Sequence, residues 1–307
     1  MNTTHPENHT RIIKSISMIK NKFGNNLLKY DSEQIKDYLK EIYKIKDLDT
    51  LAKNFLKNSY NNKYLDNIKK ECDKLDIDEI VDGDTYFSKL TYGEVIDGSL
   101  IMFNACNQIM NKVIKYAYCL IRPPSHHSTL NYYSGFCFVN QTYQTAKYLH
   151  DKFKQKVFIL DYDVHHGDGT QDLVNKNFLD EIYFCSIHCY APYFYPGTGT
   201  EDENNEKVLN IPLATKSSDK VYIDNFDNKI VPYIQKVNPD IIIISNGFDA
   251  HKDDPMKVMS LTEEFYVHVN KYLKSLNKPI IYILEGGYNP EIIGKMSCYI
   301  LDILIEK

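Results

Sequence analysis

The 307-residue chain has no tryptophan, only two arginines among its 36 basic residues, and no Cys-x-x-Cys spacing among its seven cysteines. It also lacks any apolar run approaching 18 residues, and its formal net charge is −5. Each absence excludes something. Without a basic face, direct nucleic-acid binding is not expected, because neutralising phosphates needs clustered Lys and Arg. Without a long apolar run, no membrane-spanning helix is expected. An odd number of cysteines, mostly set in apolar stretches such as Tyr118-Cys119-Leu120 and Phe136-Cys137-Phe138, argues for reduced buried thiols. Met1 to Thr10 is polar and shows no secretory h-region, so the expectation is an intracellular chain, in cytoplasm or nucleus. The shortage of Arg and Trp beside abundant Lys, Asn, Ile and Tyr reads as compositional drift. It draws attention to Arg11 and Arg122.

What is present is a globular composition, 43% apolar and 25% charged. A chain of this length can bury one large core. No internal repeat or Pro/Gly/Ser-rich linker divides it, so residues 1–307 are read as one domain. Residues 11–75 read as helices: Ile12, Ile13, Ile16, Ile19 and Phe23 keep a helical period, and 32–75 continue with Lys/Asp/Glu-rich amphipathic segments whose charges suit solvated faces. Ile96 to Lys115 reads as a buried helix.

From there short apolar runs alternate with helical stretches. Residues 118–121, 157–160, 182–187, 208–211, 241–244 and 280–284 are continuous β-branched or apolar runs. Strands buried on both faces have that texture, so the expected fold class is α/β, a parallel sheet flanked by helices on both faces. Polar clusters follow these runs: Arg122-Pro-Pro-Ser-His-His127, Asp161-Tyr-Asp-Val-His-His-Gly-Asp-Gly169, His188-Cys-Tyr190 with Phe194-Tyr-Pro-Gly-Thr-Gly199, Ser245-Asn-Gly-Phe-Asp-Ala-His251 and Glu285-Gly-Gly-Tyr288. Six of the ten histidines lie at those strand ends, where open parallel sheets bind ligands.

Asp163 and His165, two residues apart on an extended segment, point the same way and can reach one metal ion; Asp249 can supply a third ligand. Two carboxylates and one imidazole leave a fourth position for water, the pattern of a catalytic zinc. His126 and His127 suit general acid–base work beside such a water, with Asp161 and Asp168 available to orient them. Tyr288, after two glycines, can approach a ligand closely and donate to a developing oxyanion.

Together these motifs resemble the histone deacetylase superfamily, closest to its class II and acetylpolyamine amidohydrolase branch. The matching residues are His5-Pro-Glu7 with Arg11, Asp84-Thr-Tyr86, Arg122-Pro-Pro-Ser-His-His127, Gly135-Phe-Cys137, Asp161-Tyr-Asp-Val-His-His-Gly-Asp-Gly-Thr170, Phe194-Tyr-Pro-Gly-Thr-Gly199, Gly247-Phe-Asp-Ala250 and Leu284-Glu-Gly-Gly-Tyr288, in the family's order. The resemblance implies the arginase/deacetylase fold and one catalytic Zn²⁺ on Asp163, His165 and Asp249. It implies His127 as the main general base and acid, His126 as its electrostatic partner, Asp161 and Asp168 as orienting groups, and Tyr288 polarising the substrate carbonyl. Gly135, Phe136 and Tyr195 would line an acyl-lysine tunnel, Tyr195 standing where the family usually has Phe. Asp84 would hold the substrate backbone at the rim, Arg11 would lie near an inner acetate-release pocket, and Met256 would sit at the mouth. A structural K⁺ is implied on the backbone carbonyls of Asp161, Asp163, His165 and Ile187 with the Asp161 carboxylate and the Ser186 hydroxyl.

The implied activity is zinc-dependent removal of acetyl groups from lysine side chains of an acetylated protein or peptide, histones among them; neither substrate nor oligomeric state is legible. Departures from the pattern are Ser125 where Gly is usual, the Tyr/Asn-rich insert Ser128 to Ser134, and His251 and Lys252, expected near the mouth. Three rivals are weighed. A binuclear manganese ureohydrolase would need carboxylates where Gly167 and His251 stand. An acetylpolyamine deacetylase would favour a Glu where Met256 stands, although Asp84, Asp253 and Asp254 keep an acidic mouth open. A non-catalytic scaffold would be expected to have lost one of Asp163, His165, Asp249 or Tyr288.

Overall fold

The computed structural model describes residues 5–306 except 25, 28, 30, 45, 58, 76–78 and 84, and the backbone alone of 79–82. The amphipathic N-terminal part forms helices α1 (Thr10–Phe23), α2 (Ser32–Tyr43), α3 (Leu48–Leu56) and α4 (Asn62–Lys74). Local chemistry starts three of them. Asp31 and Gln34 form a reciprocal capping box on α2, and Asp47 and Asn61 accept from the first turns of α3 and α4. A two-stranded antiparallel ribbon, β1 (Glu79–Asp82) with β2 (Thr85–Phe87), follows; the sequence pattern did not reveal it. The helix expected at 96–115 is α5 (Thr91–Met110), starting earlier and stopping sooner.

The remaining elements alternate: β3 (Tyr116–Cys119), α6 (Gln141–Phe153), β4 (Val157–Asp161), α7 (Asp168–Lys176), β5 (Ile182–Cys189), β6 (Val208–Leu213), α8 (Asp219–Asn225) running through a wider turn into α9 (Val231–Val237), β7 (Ile241–Asn246), α10 (Glu263–Ser275), β8 (Ile280–Leu284) and α11 (Pro290–Ile305). Strands β3 to β8 make one six-stranded sheet in the order β3-β8-β7-β4-β5-β6, parallel at every pairing. The run expected at 118–121 sits two residues early, because edge strand β3 is paired by β8 alone, through Tyr116 to Cys119.

Burial on both faces explains the unbroken apolar runs. In β4, Val157 and Ile159 enter a core with Leu100 of α5, Leu149 of α6 and Leu173 of α7, whereas Phe158 and Leu160 enter a second core with Tyr222, Leu273 of α10 and Ile300 of α11. Each such side chain contributes roughly 1.5–3 kcal/mol when fully buried. The seven cysteines are buried and unpaired, as expected. Among the described residues no helix is long and apolar enough to cross a membrane.

The strand order positions the site. From β4 the chain winds outward through β5 and β6, then returns to the other side of β4 with β7 and β8. The winding therefore reverses between β4 and β7, and a crevice opens beyond their carboxyl ends. The segments after these two strands carry Asp163, His165 and Asp249.

The only two arginines tie the N-terminal segment to this end of the sheet. Glu7 receives Arg11 Nη1 at 3.1 Å, Arg122 Nε at 2.7 Å on one oxygen and Arg122 Nη2 at 2.7 Å on the other. Arg122 Nη1 continues to Glu94 at 2.8 Å. Burial works against a charged Glu7, but Arg122 and Arg11 outweigh it and hold the carboxyl below its usual value. Removing one charge from a buried pair strands the others, so Glu7→Gln is expected to cost about 3 kcal/mol by urea unfolding at pH 7. The sign with pH follows. Glu7 stabilises fully above its unfolded pKa of about 4.5, and that contribution is lost as pH falls through the lowered folded value. The Gln variant should show a flatter acid limb.

Candidate active site

Strand β4 ends at Asp161, and residues 162–165 bend away from the strand direction. The alternation expected to align Asp161, Asp163 and His165 is therefore not what brings the ligands together. Hydrogen bonds do so instead. Asp161 Oδ1 accepts the Asp163 N–H at 3.1 Å, Asp163 Oδ1 accepts the His165 N–H at 2.9 Å, and Asp249 Oδ1 accepts the Val164 N–H at 2.9 Å. The last of these stitches the β7 segment onto the β4 segment. His165 Nδ1 then lies 3.0 Å from Asp163 Oδ1 and 3.3 Å from Asp249 Oδ2. One ligand atom from each of the three residues lies within 4.8 Å of the others.

These three residues fit a divalent cation. All are buried, and Asp249 Oδ2 has no hydrogen-bond donor. Burial opposes a charged imidazole, but Asp163 and Asp249 together push His165 up to about 9. Burial, with repulsion from Asp163, also raises Asp249. Two buried carboxylates thus draw a positive charge between them, which a metal ion would supply. A Cβ on Gly286 would overlap both Asp249 Oδ2 and Asp163 Oδ2, so only glycine admits the β8 loop here. Its N–H donates to Asp163 Oδ2 at 2.7 Å. A second cluster, His150, Asp151 and Asp180, is half-buried, and Lys147 already bridges its two carboxylates at 2.8 and 2.9 Å. Lys147 offsets part of its charge without a metal.

The tandem histidines lie against this centre. His126 and His127 have ring centroids 4.0 Å apart, and His127 is 5.8 Å from His165. Each has its own carboxylate: His126 Nδ1 meets Asp161 Oδ2 at 2.9 Å, and His127 Nδ1 meets Asp168 Oδ1 at 2.6 Å. Their environments push them apart. Burial disfavours the charged form of His126, but Asp161 and Asp163 overcome this and raise it well above the usual imidazole range. Burial and the neighbouring His126 charge push His127 down to about 4.

Glu285 is a functional-site residue to which the sequence reading gave no role. It is fully buried, and its carboxylate accepts from the Ser125 N–H and hydroxyl, both at 2.6 Å, the His126 N–H at 3.2 Å and Thr142 Oγ1 at 2.9 Å. It holds the histidine loop from the end of β8. Ser125, the departure from the expected Gly, thus has a partner. The available signal was an acid directly after an apolar strand and before two glycines.

Tyr288 follows. Its N–H donates to Asp254 Oδ2 at 2.7 Å, and Asp254 also accepts the N–H groups of Asn289 and Met256. Burial and the nearby Asp249 and Asp163 raise the Tyr288 phenol well above its ordinary value, so it keeps its proton. Arg11 lies beneath, its guanidinium 5.3 Å from the Tyr288 ring centre. Its donors go to the Gly287 carbonyl at 2.5 Å, the Glu285 carbonyl and Glu7, which makes it a brace for the β8 loop.

The walls above the metal ligands are aromatic. Phe194 stacks on His165 at 5.1 Å with planes 3° apart, Tyr195 sets its edge against His127 at 4.9 Å, and Phe136 faces Tyr288 at 6.1 Å. Gly135 has φ +51, and a Cβ there would meet the His127 ring. Met256 is partly exposed, one residue past the Asp254-Pro255 pair. Asp84 lies outside the described residues. Two expectations for the mouth are corrected. His251 is buried, its Nδ1 accepting the Asp253 N–H at 3.1 Å and its ring lying along Tyr266. Asp254 is buried too, because its carboxylate ties three backbone N–H groups. At the residues named for potassium, Asp161 and Ser186 are register partners across β4 and β5, with Ile187 next along, and the Ser186 hydroxyl lies 2.8 Å from His188 Nδ1.

The fold and the site define an α/β protein with a buried Asp–His–Asp metal centre at the switch point of a parallel sheet, flanked by two carboxylate-held histidines and a protonated phenol. The chain belongs to the histone deacetylase domain family, whose model matches residues 5–304. It is 35% identical over 218 residues to an uncharacterized protein of Synechocystis, covering 70% of each chain. It is 34% identical over 230 residues to type-2 histone deacetylase 2 of Dictyostelium discoideum, covering 68% of this chain but 13% of that protein. Among solved structures it superposes on the HDA15 HD domain with TM-score 0.86 at 27% identity, covering 100% of this chain and 86% of that one. It shares its fold with an acetylpolyamine aminohydrolase from Burkholderia pseudomallei, TM-score 0.78 at 20% identity, covering 96% and 90%.

Binding of a divalent metal, probed with zinc, should weaken by ~10-fold or more in each of Asp249→Asn and Gly286→Ala, the first by removing charge and the second by displacing both carboxylates. Equilibrium dialysis with elemental analysis measures this. Stoichiometric tight zinc in Asp249→Asn contradicts the ligand assignment.

Proposed function

We propose that the protein is a zinc-dependent deacetylase acting on acetylated lysine side chains of a protein or peptide. The observation that carries this reading is the opposed pair of histidines beside one three-ligand metal centre. Each ring sits on its own carboxylate, His126 on Asp161 at 2.9 Å and His127 on Asp168 at 2.6 Å, and their surroundings push the first above and the second below the usual imidazole range.

Zn²⁺ held by Asp163, His165 and Asp249 would supply Lewis acidity to the amide carbonyl and to water. The side chains do the rest. Asp168 accepts from Nδ1–H of His127, which leaves the lone pair on Nε2. His127, neutral before reaction, takes the proton of the attacking water at that nitrogen. The charge of His126, fixed by Asp161, disfavours a lasting second imidazolium and so favours passage of the proton onward. His127 returns it to the leaving amine, giving acetate and free lysine. Tyr288 donates its phenolic hydrogen to the developing oxyanion. Phe136, Gly135 and Tyr195 shield the acyl-lysine stem from water, Met256 sits at the mouth, and Arg11 holds the loop that carries Tyr288; the family resemblance alone gives Asp84 the role of holding the substrate backbone. The same reading assigns a structural K⁺ to Asp161, Ser186 and Ile187.

The binuclear alternative lacks its ligands, since Gly167 and His251 stand where carboxylates would be needed. The test uses zinc-loaded protein with acetyl-lysine peptides and N8-acetylspermidine, reading acetate release. Peptide turnover preferred by kcat/KM supports the proposal, and a large preference for the polyamine overturns it. Tyr288→Phe should lower kcat by roughly 10²-fold or more while zinc stays bound, the usual effect of removing one oxyanion donor. A wild-type rate in that variant refutes the role.

A further inference from the structure

The wall residues Phe194 and Tyr195 are preceded by a turn whose tip is built against its own backbone preference. The Phe194 N–H donates to the Ala191 carbonyl at 3.1 Å, closing a four-residue turn with Pro192 and Tyr193 at its centre. Proline fixes φ at the first central position, and Tyr193 has φ +62 at the second. That combination is a type II turn, whose second central position favours glycine because a Cβ crowds the backbone there. A bulky aromatic residue in that conformation is uncommon.

Tyr193 has a relative exposure of 107%, so its ring stands in water and packs against none of the described residues. Its place is nevertheless fixed. Phe194, the next residue, is stacked on His165, and Tyr195 lies against His127. The far end of the loop is pinned by two buried histidines, His166 Nδ1 on Thr198 Oγ1 at 2.8 Å and His188 Nε2 on the Gly199 carbonyl at 3.0 Å. A rigid loop thus carries an exposed ring one residue outside the aromatic wall of the site. Strain of this kind is retained where function uses it.

We infer that Tyr193 is a specificity-determining residue that packs against the polypeptide flanking the acyl-lysine, so that the enzyme favours acyl-lysine within a chain over a free acylated amine. The inference rests on the deacetylase reading and deepens it. A ring outside the wall cannot touch a substrate that ends at the lysine stem. It can touch the main chain and neighbouring side chains of a peptide, and a rigid aromatic surface does so at low entropic cost.

The experiment compares a seven-residue peptide with a central acetyl-lysine and Nα-acetyl-Nε-acetyl-lysine amide, using zinc-loaded protein. In Tyr193→Gly and Tyr193→Ala, KM for the peptide should rise about 5- to 10-fold, the range for one aromatic contact, with kcat unchanged. The capped single residue should keep its kcat/KM within about twofold, and Tyr193→Phe should restore peptide KM, because the ring surface makes the contact. Tyr193→Gly suits the backbone, so its Tm should equal or exceed wild type, which separates lost contact from lost folding. Equal losses on both substrates, or no loss on either, overturn the inference while leaving deacetylation intact. Failure of the wild-type protein to turn over either substrate overturns both.

Discussion

Two carboxylates, Asp163 and Asp249, are buried within reach of one imidazole, and much of the surrounding structure serves that arrangement. Like charges removed from water repel, and together they raise the affinity of the space between them for any cation. In this chain the cost is met by backbone donors. Val164 and Gly286 point their N–H groups at the two carboxylates, and His165 Nδ1 lies between them. Glycine at 286 is required by proximity alone, since any side chain would occupy the carboxylates' own space.

The two tandem histidines are arranged around that centre by a second set of buried charges. Asp161 and Asp163 push His126 up, whereas burial and the neighbouring His126 push His127 down against the pull of Asp168, so adjacent rings of the same chemistry are shifted in opposite directions. Glu285 fixes the loop that carries them, and Arg11 braces the Glu285 and Gly287 carbonyls from the other side. Glu7 and Arg122 extend the brace toward α5 through Glu94. The only two arginines in the chain thus share one carboxylate, where a planar, permanently charged group can satisfy several oxygens in fixed directions. The mouth is less charged than its sequence suggests, because Asp254 and His251 are turned inward.

Much of this was legible in the residues. The six β-branched runs marked the sheet, and the polar clusters following them marked its carboxyl edge, because strands buried on both faces leave only their ends for chemistry. The thiols lay in apolar stretches and are buried. Other features were not legible. The ribbon at 79–87 carries too short a pattern to register, and β3 slid two residues because its one partner sets its register. Glu285 looked like one more strand-end acid until four donors were seen to converge on it. The positive φ of Tyr193 had no signal in the sequence, since periodicity carries no information about φ.

By itself the sequence determined which residue types stand at which strand ends, because hydrophobic runs and turn chemistry are local properties of the chain. Tertiary structure alone decided which of those ends meet. The return of β7 to the side of β4, a long-range pairing that local pattern does not encode, sets Asp249 against Asp163 and His165. It also decided which charges face water and which are buried, and that choice shifts two adjacent histidines in opposite directions.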